Sequence, residues 1–418
     1  MKRILSLITA LTILAVITIM PAIAEGRTYT PVTGSQINIE KCLIMDKTAN
    51  VPNIEFSYAI TAGTAKQAQG NNIEIYAGND TNKVTGTPTI GTASFSVGQT
   101  TYETAQDVEN TNIQNKTNGS TLNKDNITLE SNEKYARSKI NINFTSVSFK
   151  EPGVYRYIIT ENVNDNPAIT MDSDSTRTLD VYVEADGESA LKIAGYVLHN
   201  GDNTDIPKEY ATGEPSTKAN GFVNRYNTKA IQIAKVVTGN QASHDEYFEF
   251  TLQISDAVAN TVYTVDLTNA DPTTKTNAIN TEAKTNPSTI TVGNDGTVTT
   301  KFYLQGGQNV TINGLGYNTK YSISEDKTTM TNEGYKATSI TVVTDADATV
   351  STDNFNVTNG KITSDDSATI VNTFTNERKG TIPTGILMSI IPGVVIVSGG
   401  ATGLIIMASK RRKKENDK

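Results

Sequence analysis

Apolar residues recur at every second position over short stretches of this chain, and clusters of Asn, Gly and Asp separate the stretches at intervals of about ten residues. Residues 37 to 43, INIEKCL, place Ile37, Ile39 and Leu43 on one face and Asn38, Glu40 and Cys42 on the other, as in a half-buried strand. Residues 25 to 380 keep this character and are rich in Thr, Asn and Val, which predicts an antiparallel β-sandwich, and at this length two sandwiches rather than one. Segment 111 to 126, TNIQNKTNGSTLNKDN, has almost no apolar residues and reads as a surface insertion in the first.

Two stretches break the alternation. The chain opens on two basic residues, a long apolar run and the small-x-small ending Ala22-Ile23-Ala24, which predicts a secretory signal peptide over residues 1 to 24. Residues 386 to 409 form an apolar run long enough to cross a bilayer, and KRRKK follows at once, so the basic tail is expected to stay cytoplasmic. Setting both ends aside changes the charge: the whole chain carries 36 basic and 44 acidic residues, and the exported stretch is left with a net of about −14. Such a surface argues against nucleic acid as a partner. The single cysteine, Cys42, excludes an intrachain disulfide and reads as an incidental exposed or edge thiol on the outer face of its strand.

Lys41 stands on the apolar face of its strand, where an unpaired ammonium group is costly to bury. The placement recurs. INIEKCL returns as IQIAKVV, with Ile231, Ile233, Lys235 and Val237 on one face; VYRYIITE, ending at Glu161, returns as KYSISE, ending at Glu325; FVN, ending at Asn224, returns as FTN, ending at Asn376. Singly, each has a plain explanation: a lysine snorkelling at a sheet edge, a paired rim carboxylate, an asparagine in a turn. Six such placements in the same order in two halves, divided near Tyr226 to Lys229, ask for a common one.

Amide formation between amine and carboxamide meets that requirement. Burial disfavours the charged forms, so the lysine becomes a neutral nucleophile and the glutamate a carboxylic acid. The acid is expected to hydrogen-bond the carboxamide oxygen and to shuttle protons so that ammonia leaves. The fold supplies proximity, most of what a single-turnover reaction needs.

With INFTSVSFKEPGVYRYIITE (141 to 161), FVNRYNTKAIQIAKVVTG (222 to 239), YNTKYSISED (317 to 326) and FTNERKGTIPTG (374 to 385), these segments give the chain a resemblance to the backbone pilins of Gram-positive bacteria, T-antigen type, built from collagen-adhesin B-type domains. The resemblance implies an all-β fold of two tandem immunoglobulin-like sandwiches, residues 25 to 226 and 227 to 380. It implies isopeptide bonds from Lys41 to Asn224 assisted by Glu161, and from Lys235 to Asn376 assisted by Glu325, with no cofactor or metal. TIPTG at 381 to 385, the apolar span and the basic tail have the tripartite layout of a sortase substrate cut between Thr384 and Gly385. The pentapeptide departs from L-P-x-T-G and is similar to the form served by a dedicated pilin sortase. In the family the lysine that accepts the next subunit lies just before the first domain's last strand, where Lys218 stands; Lys208 and Lys229 are alternatives.

The expected partners are other copies of the chain, a pilin sortase, accessory pilins and host ligands at the cell surface. A wall-anchored adhesin or stalk is the second reading, but about 355 exported residues leave little room for a separate binding head. Two histidines, His199 and His244, without metal-like spacing, give no support to an enzyme.

Overall fold

The computed structural model describes residues 30–68, 74–106, 127–187, 190–202, 219–268, 284–343, 351–353, 355–364 and 368–380. The signal peptide, insertion 111 to 126, Lys208, Lys218, and the sorting signal with Thr384 and Gly385 lie outside them.

In the first half the main strands are β1 (Gln36–Asp46), β2 (Tyr58–Ala62), β3 (Glu133–Asn143), β4 (Gly153–Glu161), β5 (Thr176–Asp186), β6 (Ala190–Asn200) and β7 (Gly221–Tyr226). One sheet runs β6-β5-β4-β2 and the other β7-β1-β3, with short strands at the edges of both. Their inner faces meet in one core: Ile37, Ile39, Leu43 and Met45 of β1 against Tyr155, Tyr157 and Ile159 of β4 and Leu179, Val181 and Val183 of β5. In the second half follow β8 (Thr228–Thr238), β9 (Phe248–Ser255), β10 (Val262–Thr268), β11 (Val298–Leu304), β12 (Asn309–Gly316), β13 (Lys320–Glu325), β14 (Lys336–Val343), β15 (Asn356–Lys361) and β16 (Thr369–Glu377). Here the sheets run β10-β12-β8-β16-β14 and β11-β9-β13-β15. A single helical turn, Lys327–Asn332, follows β13.

Two features depart from the sequence expectation. The pairing is not purely antiparallel: the last strand of each half runs parallel to the first, β7 beside β1 and β16 beside β8. Antiparallel neighbours can be joined by tight hairpins, whereas a parallel pair requires the chain to cross the whole sandwich between them. Gly221 opens β7 because any side chain there would strike the Glu40 carbonyl. Second, β1 is covered on both faces. Cys42 is not an exposed or edge thiol; it is 3% accessible and packs with Ile44 and Tyr135 beneath Tyr102, Ile127, Leu129 and Val223. Alternation locates the two faces of a strand but does not reveal that other segments fold over the second one.

The two sandwiches touch along a seam. Asn50 donates its side-chain amide to the Val262 carbonyl at 2.8 Å, and the Thr264 hydroxyl donates to the Thr48 carbonyl. Gly314, in the left-handed region at φ +86°, lets Ala49 approach so closely that a Cβ would stand 3.1 Å from the Ala49 Cα. Tyr317 contributes to both cores.

Candidate functional site

The six residues singled out in the sequence come together as two separate triads, one inside each sandwich. Period-2 geometry puts Lys41 in the inward row of β1 with Ile39 and Leu43, puts Glu161 at the end of the inward row of β4, and puts Asn224 beside Phe222 on β7. Parallel pairing sets Lys41 opposite Phe222, two residues before Asn224. In the second sandwich Lys235 stands opposite Phe374, again two residues before Asn376. The strand register of the two triads is therefore the same, and all six residues are at most 4% accessible.

In the first triad the Lys41 amine donates to Glu161 Oε1 at 2.5 Å, and Asn224 Nδ2 donates to the same oxygen at 3.3 Å. In the second, Lys235 and Asn376 Nδ2 each donate to Glu325 Oε1 at 2.7 Å. One carboxylate oxygen thus touches both the nitrogen that would attack and the nitrogen that would leave. The sequence reading had the glutamate on the carboxamide oxygen; the structure puts it on the carboxamide nitrogen, which suits it for relaying a proton from one to the other.

Burial pushes Lys41 down to about 8, with the Glu161 carboxylate opposing the shift, and Lys235 is likewise pushed down to about 8 against Glu325. Aromatic rings supply that burial. The Lys41 amine lies 4.6 Å from the centroid of Phe56, and that of Lys235 lies 4.3 Å from Phe248. Tyr58 and Phe250 occupy equivalent places: each pairs across its sheet with the glutamate and packs on the phenylalanine opposite the lysine, Phe222 or Phe374. Tyr58 adds a hydroxyl that donates to Glu161 Oε1 at 3.3 Å, which Phe250 cannot do. Sequence reasoning missed these rings. The pairs FSY at 56 to 58 and FEF at 248 to 250 were the available signal, but strand aromatics read as ordinary core.

Of the acceptor candidates only Lys229 is described; it lies half-buried in β8 opposite Leu315.

An amine, a carboxylate and a carboxamide are thus sealed together in each of the two β-sandwiches, the set of groups that amide formation between side chains requires. Residues 37–227 match the family described as the Spy0128-like isopeptide containing domain. Residues 229–378 match a family described only as a domain of unknown function. A pilin of Streptococcus pyogenes serotype M1 is 24% identical over 264 residues, 61% of this chain and 68% of the relative. Among solved structures, a major pilin of Streptococcus pyogenes is 20% identical with a TM-score of 0.48, covering 84% of this chain and all of its own. The T-13 major pilin of the same species is 21% identical with a TM-score of 0.46, at the same coverages.

Proposed function

We propose that the chain is a structural backbone subunit of a cell-surface pilus, and that each sandwich hardens itself by one amide bond, Lys41 to Asn224 through Glu161 and Lys235 to Asn376 through Glu325. The observation that carries this reading is one buried arrangement built twice, in the same strand register, in two domains that match different families. The reaction consumes its own residues. Lysine Nζ gives one proton to the carboxylate oxygen and attacks the carboxamide carbon; it gives up a second as the intermediate collapses, so that one proton leaves on the departing nitrogen as ammonia and the other stays on the glutamate as a neutral acid. The product is a neutral amide, which removes the cost of keeping an ammonium group in an apolar core. A buried charge that disappears on reaction answers the question that Lys41 raises in the sequence.

Subunits are joined, in this reading, by a sortase that cuts TIPTG after Thr384 and transfers that threonine to a lysine of the next subunit, Lys218. The support is the order of motif, apolar span and basic tail, together with the pilin relative. The intact mass of residues 25 to 380 is expected to fall short of the sequence mass by two ammonia molecules, and Glu161→Ala and Glu325→Ala each to restore one. An unmodified parent mass would refute the bonds. Native cell walls should yield a ladder of detergent-resistant multimers that Lys218→Ala abolishes; a normal ladder from that variant would transfer the role to Lys208, Lys229 or another lysine.

A further inference from the structure

The two triads differ on the side of the carboxamide that faces away from the glutamate. In the first sandwich Asn224 Oδ1 accepts the backbone N–H of Asp172 at 2.8 Å. In the second, Asn376 Oδ1 is buried and finds no hydrogen-bond partner among the described residues. The donor in the first sandwich is held firmly. The Asp172 carboxylate accepts from the Val223 N–H at 2.8 Å and from the Arg177 guanidinium at 2.6 Å. Arg177 is itself 3% accessible, donates to the carbonyls of Gly221, Asp174 and Thr176, and lies 4.5 Å from the Phe222 ring. A guanidinium presents its donors in a rigid planar fork, so Arg177 ties the loop before β5 in one sheet to the start of β7 in the other.

We infer that the Asp172 amide is an oxyanion donor for bond formation in the first sandwich, with Arg177 as the residue that positions it, and that the second sandwich forms its bond without such a donor. The inference rests on the amide-bond reading above. When Lys41 Nζ attacks Asn224 Cγ, the carbonyl π pair moves onto Oδ1. That developing charge sits where the Asp172 N–H already points, in a site closed to water. Collapse of the intermediate restores the carbonyl, breaks the bond from Cγ to Nδ2 and releases ammonia, which carries the proton relayed by Glu161. The donor also fixes the carboxamide so that Nδ2, the leaving nitrogen, faces the glutamate. Glu325 and Asn376 must manage the same step with an oxyanion that no N–H among the described residues receives.

The test is the rate at which each bond appears in freshly translated full-length exported protein, read by mass spectrometry of the two crosslinked peptides. The Lys41 to Asn224 bond is expected to form faster than the Lys235 to Asn376 bond. Asp172→Pro deletes the N–H and should slow the first bond by about 10²-fold while leaving the second unchanged. Asp172→Asn keeps the N–H and an acceptor for Val223, and should restore the parent rate. Arg177→Lys keeps the charge but loses the fork, and slows the first bond alone; it stands in for the proline variant if that one misfolds. Unchanged first-bond rates in both Asp172→Pro and Arg177→Lys, or equal slowing of both bonds, would overturn the inference. Failure of the first crosslink to appear at all in the parent would instead overturn the amide-bond reading on which it stands.

Discussion

At the scale of single residues, the unusual feature of each triad is that amine and carboxylate share one proton reservoir. The ion pair and the pair of neutral molecules have the same net charge, so converting one into the other takes no proton from solvent, and burial favours the neutral form. Burial pushes Lys41 and Lys235 down to about 8, so the ammonium proton is lost near that pH. The rate of bond formation is expected to be level below about pH 8 and to fall about tenfold per pH unit above it, because the amine then has no proton to lend the carboxylate oxygen for the departing nitrogen and gives up its own hydrogen only after it has attacked. A rate that climbs through pH 8 would show that the lysine must first lose its proton to water. Stability follows a different course. In Asn224→Ala no bond forms and Lys41 still titrates, near 8 when folded against 10.5 when unfolded. Between these values the unfolded chain binds more protons, so this variant should gain stability as pH rises from 8 toward 10.5. A parent whose lysine nitrogen has become an amide, as proposed, should not; denaturant titrations at several pH values compare the two.

Among the elements, what decides reactivity is the parallel pairing of first and last strands. It brings residues far apart in sequence into adjacent rows and sets lysine opposite phenylalanine, two before asparagine, in both halves. Closing a loop of this length lowers the entropy of the unfolded chain, an effect of about 4 to 5 kcal/mol by the chain-entropy estimate made for disulfides. Asn224→Ala should therefore lower the melting temperature of the first sandwich by roughly 8 to 20 °C, at about 2 to 4 °C per kcal/mol for a domain of this size. Coincident melting curves for parent and variant would contradict it. Period-2 alternation alone made the inward rows legible, Lys41, Glu161 and Asn224 included, because a strand commits every second side chain to one face. It could not reveal the clamp of Asp172 and Arg177, which exists only once a loop of one sheet lies across a strand of the other. Nor could it show what covers Cys42, since the residues above it come from distant segments.

For the whole molecule, the seam between the sandwiches sets how stiffly one follows the other. It depends on Gly314, where a side chain would be strained by the left-handed backbone and would crowd Ala49. Gly314→Ala should cost about 1 to 2 kcal/mol in the second sandwich and widen the spread of distances between dyes placed on the two sandwiches; an unchanged spread would show that the remaining contacts hold the seam alone. The proposed bonds lie within domains, but their position would alter how the molecule fails. Once Lys41 is joined to Asn224, the backbone between them is one arm of a closed ring whose other arm is the new amide. A protease that cuts once in that ring opens it without separating anything, and a second cut frees only the piece between the two. With such a bond the chain would acquire fault tolerance: damage to its exposed loops would be confined to where it happens, and a fibre assembled from such subunits would keep its continuity through injuries that would sever an ordinary polypeptide.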